Sequence, residues 1–114
     1  MEYEMSSISK KLSKFTQREI DYLFKHGRRV VRNASCTILL APRQAEFGRV
    51  LIITSRKVGN APERNLIRRR IKSIFYEEKL YERNFDCVII AQKKMVDLSF
   101  DQLKELILCS FSTK

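Results

Sequence analysis

"KVGNAPERNLIRRRIK", residues 57–72, decides how this chain is built. It opens on a turn marked by glycine and proline, and its apolar residues then recur at helical intervals. Six of its side chains are basic and one is acidic. The segment just before it, "GRVLIITS" (48–55), is rich in β-branched residues and reads as a strand. Strand, tight turn and helix thus follow one another. Pro62 suits a first helical turn, where its missing N–H would be unpaired anyway. The helix is expected from about Pro62 to about Leu80.

The charge on that helix has a direction. With Ile67 at zero and about 100° per residue, Ile71 falls at about 40°, Ile74 at about −20° and Phe75 at about 80°, which defines a buried face. On the same wheel Arg64 falls at about 60°, Arg68 at about 100°, Lys72 at about 140°, Asn65 at about 160° and Arg69 at about 200°. Arg70 lies on the other margin, where its stem can run along the core edge. Arg64, Arg68 and Lys72 form a row of like charges four apart, which weakens a helix. Beyond Glu63 the next acids are Glu77 and Glu78. A solvated helix face usually mixes signs, and this one does not. The turn "KVGNAP" serves the same purpose. Gly59 permits a sharp bend, Asn60 is placed to cap the helix or reach a phosphate, and a helix start favours anions. Arg56 and Lys57 stand beside it.

Elsewhere the signals are local. In "FTQREI", Thr16 and Glu19 have capping-box spacing, and Phe15 and Ile20 sit where a hydrophobic staple clasps the first turn. Ile20, Leu23 and Phe24 continue that helix's stripe, Lys25 and His26 suit its C-terminal dipole, and Gly27 is expected in the left-handed position that ends it. "SCTILLA" (35–41) and "FDCVIIA" (85–91) read as strands, and "RRVVR" (28–32) as a short edge strand. In the last helix Ser99 and Gln102 make a second capping box, Leu98 and Leu103 a staple, and Leu103, Leu106, Ile107 and Phe111 a stripe. The first dozen residues are polar and expected to be loose. The order is α, β, β, with "RRVVR" a third strand, then α, β, α: a sheet with helices packed on it, in a single domain over residues 1–114.

The whole chain carries 23 Lys and Arg against 13 Asp and Glu, a net charge of +10. Such an excess calls for a polyanionic partner. No apolar run approaches the ~18 residues of a membrane span, and the start does not read as a signal peptide. Cys36, Cys87 and Cys109 read as small core residues in a reducing compartment, with the cytoplasm as default. The chain has one histidine, scattered acids and no zinc-ligand spacing, so hydrolysis by this chain alone is not expected.

"TSRKVGNAPERNLIRRRIKSIF" resembles the signature of the bacterial ribonuclease P protein family. Lys57, Gly59, Asn60, Ala61, Arg64, Asn65, Arg68 and Arg69 match its pattern, with Lys72 a turn later. "KKLSK…FKHG" before it and "DCVIIAQ" with a terminal amphipathic helix after it agree as well, so the resemblance runs from about Lys10 onward. It implies an α/β sandwich of order αβββαβα, with a four-stranded sheet and a left-handed βαβ crossover holding the basic helix. It implies a subunit that assists a catalytic RNA in removing the 5′ leader of precursor tRNA. The RNA performs the hydrolysis with Mg2+, and the protein, a monomer within the ribonucleoprotein, binds no cofactor. The RNA-contacting residues would be Arg56, Lys57, Asn60, Arg64, Asn65, Arg68, Arg69 and Lys72, and the leader cleft would include Arg18, Ile20 and Phe24. Three positions depart from the pattern. Leu66 replaces a second arginine, whose part in RNA binding is then either missing or taken over by Arg70. Ile20 stands where an aromatic is common, and "SCTILLA" lacks the aromatic often found in that strand. A ribosomal or other structural RNA-binding protein is the alternative, while a stand-alone nuclease and a DNA regulator fit less well.

Overall fold

The computed structural model describes residues 11–112. Helix α1 spans Gln17–His26, strand β1 Arg28–Arg32, β2 Cys36–Pro42, β3 Val50–Ile53, helix α2 Ala61–Glu77, β4 Phe85–Ala91 and helix α3 Phe100–Ser112. Two short 3-10 turns, Leu80–Glu82 and Lys93–Asp97, flank β4. The expected order αβββαβα is therefore present. The sheet runs β1-β2-β4-β3, with β1–β2 and β2–β4 antiparallel and β3–β4 parallel. Helix α2 is the crossover between the two parallel strands.

Strand alternation sorts the apolar residues onto two faces. Cys36, Ile38 and Leu40 of β2 and Cys87, Ile89 and Ala91 of β4 enter the main core with Ile67, Ile71, Ile74 and Phe75 of α2 and Leu103, Ile107 and Phe111 of α3. Phe75 is fully buried and meets Phe111 edge-on at 5.8 Å between centroids. On the opposite face Leu23 of α1 packs with Ala41 and Val88, and with the half-buried Leu39, Leu51, Ile53 and Ile90. One face is thus covered by two helices, and the other by α1.

Both capping boxes that the spacing predicts at α1 and α3 are formed. Thr16 Oγ1 accepts from the Glu19 amide at 3.2 Å while the Thr16 amide donates to Glu19 at 2.9 Å. Ser99 and Gln102 exchange the same bonds at 3.1 and 2.9 Å. Four expectations need correction. Gly27 is not left-handed: its φ is −70° and ψ 138°. A Cβ there would lie 2.5 Å from the Leu23 carbonyl oxygen, so the position needs glycine for room. Helix α2 ends at Glu77, because Lys79 turns left-handed at φ 55° and starts the 3-10 turn. Strand β3 is shorter than 48–55, because the Gly48 amide donates to the Tyr81 carbonyl instead of a strand ladder. Cys109 is exposed, unlike the buried Cys36 and Cys87. Most of the segment expected to be loose, 1–12, lies outside the described residues, but Leu12 is buried and its carbonyl accepts from the Val50 amide at 2.8 Å.

Candidate nucleic-acid interface

The turn after β3 is pinned by one apolar residue. Val58 is buried, and its amide donates to the Ser55 carbonyl at 3.0 Å. Arg56 and Lys57, between the two, are left exposed. The start of α2 closes on itself: Asn60 Oδ1 accepts from the Glu63 amide and Glu63 Oε1 from the Asn60 amide, both at 2.9 Å. Asn60 is therefore the helix cap. The Glu63 carboxylate occupies the end where an anion would otherwise sit, so the reading of this helix start as an anion cradle is displaced. A Cβ on Gly59 would lie 2.5 Å from Glu63 Oε1, so glycine here leaves space for the capping carboxylate.

Along α2 the expected wheel holds. Ile67, Ile71, Ile74 and Phe75 are buried; Arg64 and Arg68 are half-buried; Asn65, Arg69 and Lys72 are exposed. Arg68 donates to Asn65 Oδ1 at 3.2 Å, which steadies both side chains on the outer face. Among the described residues, ion pairs join Arg49 to Glu19, Arg49 to Asp86 and Lys104 to Glu78; none includes Arg56, Lys57, Arg64, Arg68, Arg69 or Lys72. The nearest acids at the end of α2 and just past it are engaged elsewhere, Glu77 by the Ser73 hydroxyl at 3.0 Å and Glu78 by Lys104 at 3.1 Å. Arg70 differs from its neighbours. Its guanidinium donates to the Leu98 carbonyl at 3.2 Å, which ties α2 to the start of α3.

The second region is the sheet face under α1. Glu19 anchors one flank of α1 at the Arg49–Asp86 end of the sheet. Ile20 and Phe24 project from the opposite flank, roughly 60–100° around the helix from the buried Leu23. On the sheet face that Leu23 covers, Thr37, Ile90 and Ile53 form a half-buried row paired across β2, β4 and β3. Phe24 is 47% exposed, the one large hydrophobic left so open among the described residues. Arg18 is exposed about 140° from Leu23, so it does not join this flank.

Residues 7–113 match the sequence model of the Ribonuclease P family. The chain belongs to the ribonuclease P protein family. It is 37% identical over 84 residues to the ribonuclease P protein component of Bacillus velezensis, which covers 73% of this chain and 72% of the relative. It is 30% identical over 110 residues to that of Petrotoga mobilis, at 92% of both chains. The solved RNase P protein from Thermotoga maritima superposes with a TM-score of 0.70 at 25% identity, covering 85% of this chain and 92% of that one. By this membership the chain is a ribonuclease P protein component, an RNA-binding protein of tRNA processing. No described helix is long and apolar enough to cross a membrane.

A network that no sequence motif announces holds the ribonuclease P protein's first helix in place. Arg49 is buried, and its guanidinium donates to both Glu19 carboxylate oxygens at 3.1 Å and to the Lys14 carbonyl at 2.8 Å. It also lies 4.3 Å above the Phe15 ring. The fully buried Asp86 accepts from the Arg49 and Gln44 amides at 2.9 and 3.2 Å. The hydrogen bond from Arg49, with that from the Thr16 amide, holds the Glu19 carboxyl below the usual carboxylate range. Burial pushes Asp86 up, against its bonds from the Arg49 and Gln44 amides and the nearby guanidinium. Burial also raises the Cys36 thiol to about 11, which leaves it inert at neutral pH. The sequence holds one signal of this network: an aspartate inside "FDCVIIA", an otherwise apolar strand, calls for a buried partner.

Proposed function

We propose that this chain docks on ribonuclease P RNA through Arg56, Lys57, Arg64, Asn65, Arg68, Arg69 and Lys72, and offers the α1 flank of Ile20 and Phe24 to the precursor tRNA leader. Cationic side chains displace counterions from folded RNA and stabilise its compact form. The observation that carries this reading is that the outer face of α2 has no carboxylate partner among the described residues of its own chain. Asn60 contributes by holding the helix start in place. Hydrolysis belongs to the RNA, with Mg2+ held there, and the protein acts as a single copy in the cytoplasm. The aliphatic floor under α1 supports a leader grip that relies less on base stacking, which elsewhere is worth about 1–3 kcal/mol per base.

Reconstitution tests the proposal. Added to a bacterial ribonuclease P RNA at low Mg2+, the protein is expected to restore leader removal, and to be inactive without the RNA. The triple variant Arg64→Ala, Arg68→Ala, Arg69→Ala should bind that RNA more weakly, with a salt slope smaller by about 2.7, at about 0.9 per phosphate no longer neutralised. Unchanged affinity and slope would remove α2 from the interface. Recovery of ribosomal RNA in place of ribonuclease P RNA from cells would favour a ribosomal role.

A further inference from the structure

Three of the five residues of β1 are arginines, and nothing in the role above uses them. Their facing is set by the ladder with β2. Arg29 pairs with Leu39 and Arg32 with Thr37, while Val31 pairs with Ile38, with a register shift between Arg29 and Val31. Paired residues share a sheet face. Val30 and Val31 both pack on the main core, so the shift turns two successive valines inward. Arg29 and Arg32 are left on the α1 side of the sheet. Both are exposed, and neither belongs to an ion pair among the described residues. Two rows then cross the sheet from a guanidinium to an apolar floor: Arg32–Thr37–Ile90–Ile53 and Arg29–Leu39–Val88–Leu51. The first row ends one residue short of Thr54 and the turn that carries Arg56 and Lys57.

We propose that Arg29 and Arg32 form a second phosphate-binding edge, which holds the backbone of single-stranded RNA as it crosses the floor beside α1. This rests on the reading of that floor as the leader cleft. The chemistry fits a strand whose bases meet aliphatic side chains and whose phosphates need charge. With few rings to stack on, two guanidinium groups on one rim and the basic turn on the other grip the backbone from both sides. The competing explanation is that charge on an edge strand only blocks sheet-to-sheet association.

The test uses the reconstituted holoenzyme and compares its affinity for precursor tRNA with that for mature tRNA. In the double variant Arg29→Gln, Arg32→Gln, the leader-dependent part of the salt slope is expected to fall by about 1.4, at about 0.7 per phosphate of a single strand. Between about 50 and 200 mM salt, the wild-type preference for precursor should then decline about sevenfold more than the variant's. Arg29→Lys with Arg32→Lys should keep the slope, and affinity for ribonuclease P RNA should stay unchanged. An unaltered slope together with self-association of the glutamine variant would establish edge protection and overturn the proposal. So would a loss confined to binding of the RNA subunit. Phe24→Ala separates the edge from the cleft. If it weakens precursor binding while the arginine variant is silent, only the phosphate edge fails. If both are silent, the leader cleft fails and takes the edge with it.

Discussion

Arg49 and Arg69 carry the same group into opposite settings. Arg49 is buried, stacked on Phe15 and shared between Glu19 and Asp86. Arg69 is exposed on α2, and no carboxylate of the chain pairs with it among the described residues. One arginine is used up inside the molecule and the other is left for something outside it. Net charge alone does not separate these uses, since both count equally toward +10. The partner of each guanidinium does.

The largest effect should come from breaking the satisfied side. Arg49→Ala leaves Asp86 buried without its cation and unties Glu19, and is expected to cost about 3–5 kcal/mol in urea or thermal unfolding. The triple α2 variant sharpens the contrast. Its unfolding free energy should stay within about 0.5 kcal/mol per substitution of the wild type, while its RNA affinity collapses. If instead Arg49→Ala folded as stably as wild type, the network would be ornamental and the division between the two arginines would fail.

A smaller effect comes from Glu19, and it depends on pH. Its carboxyl is held below its ordinary value of 4.5 by Arg49 and the Thr16 amide. A lowered carboxylate contributes stability that is complete above the unfolded value and lost as pH falls through the folded one. Glu19→Gln should lower stability at neutral pH by about 1–2 kcal/mol and flatten the decline in acid below about 4.5. Asp86 works with the opposite sign. Burial raises its carboxyl, so any stability it lends is present at low pH and lost as pH rises through that raised value. A Glu19→Gln profile parallel to wild type through the acid range would show that the pair does not bear on folding. The smallest effect is expected from Gly59→Ala, whose Cβ presses on the Glu63 carboxylate. Loss of that cap should cost about 1 kcal/mol, read from the unfolding midpoint.

What residues alone make legible is what neighbouring residues decide. Capping boxes span three positions, strands alternate by two, and the arginine face of α2 follows from helical period. The Arg49–Asp86 contact joins residues 37 apart, and only the sheet brings them together. Gly27 ends α1 as expected but for another reason: a Cβ would meet the Leu23 carbonyl one turn back and the Leu39 side chain, and only the second of these contacts is tertiary. The end of α2 carries no glycine to announce it; Lys79 takes the left-handed turn instead. The facing of Arg29 and Arg32 is hidden by the register shift in β1, which no periodicity in "RRVVR" reveals. The sequence leaves Asn60 as either a cap or a phosphate ligand, and the structure shows it capping the helix with Glu63 as its partner.

The placement of the last strand has a consequence for how the protein comes into being. β4 is the final strand made, yet it is inserted between β2 and β3, which share no ladder with each other. In a chain that stops short of residues 85–91, α2 is complete but the platform beneath it is in two pieces. Its arginines are then attached to a helix with little to rest on, in a chain whose sheet pairings are long-range and slow to form. A released fragment ending before Phe85 should therefore hold RNA poorly even though it carries every cation of α2.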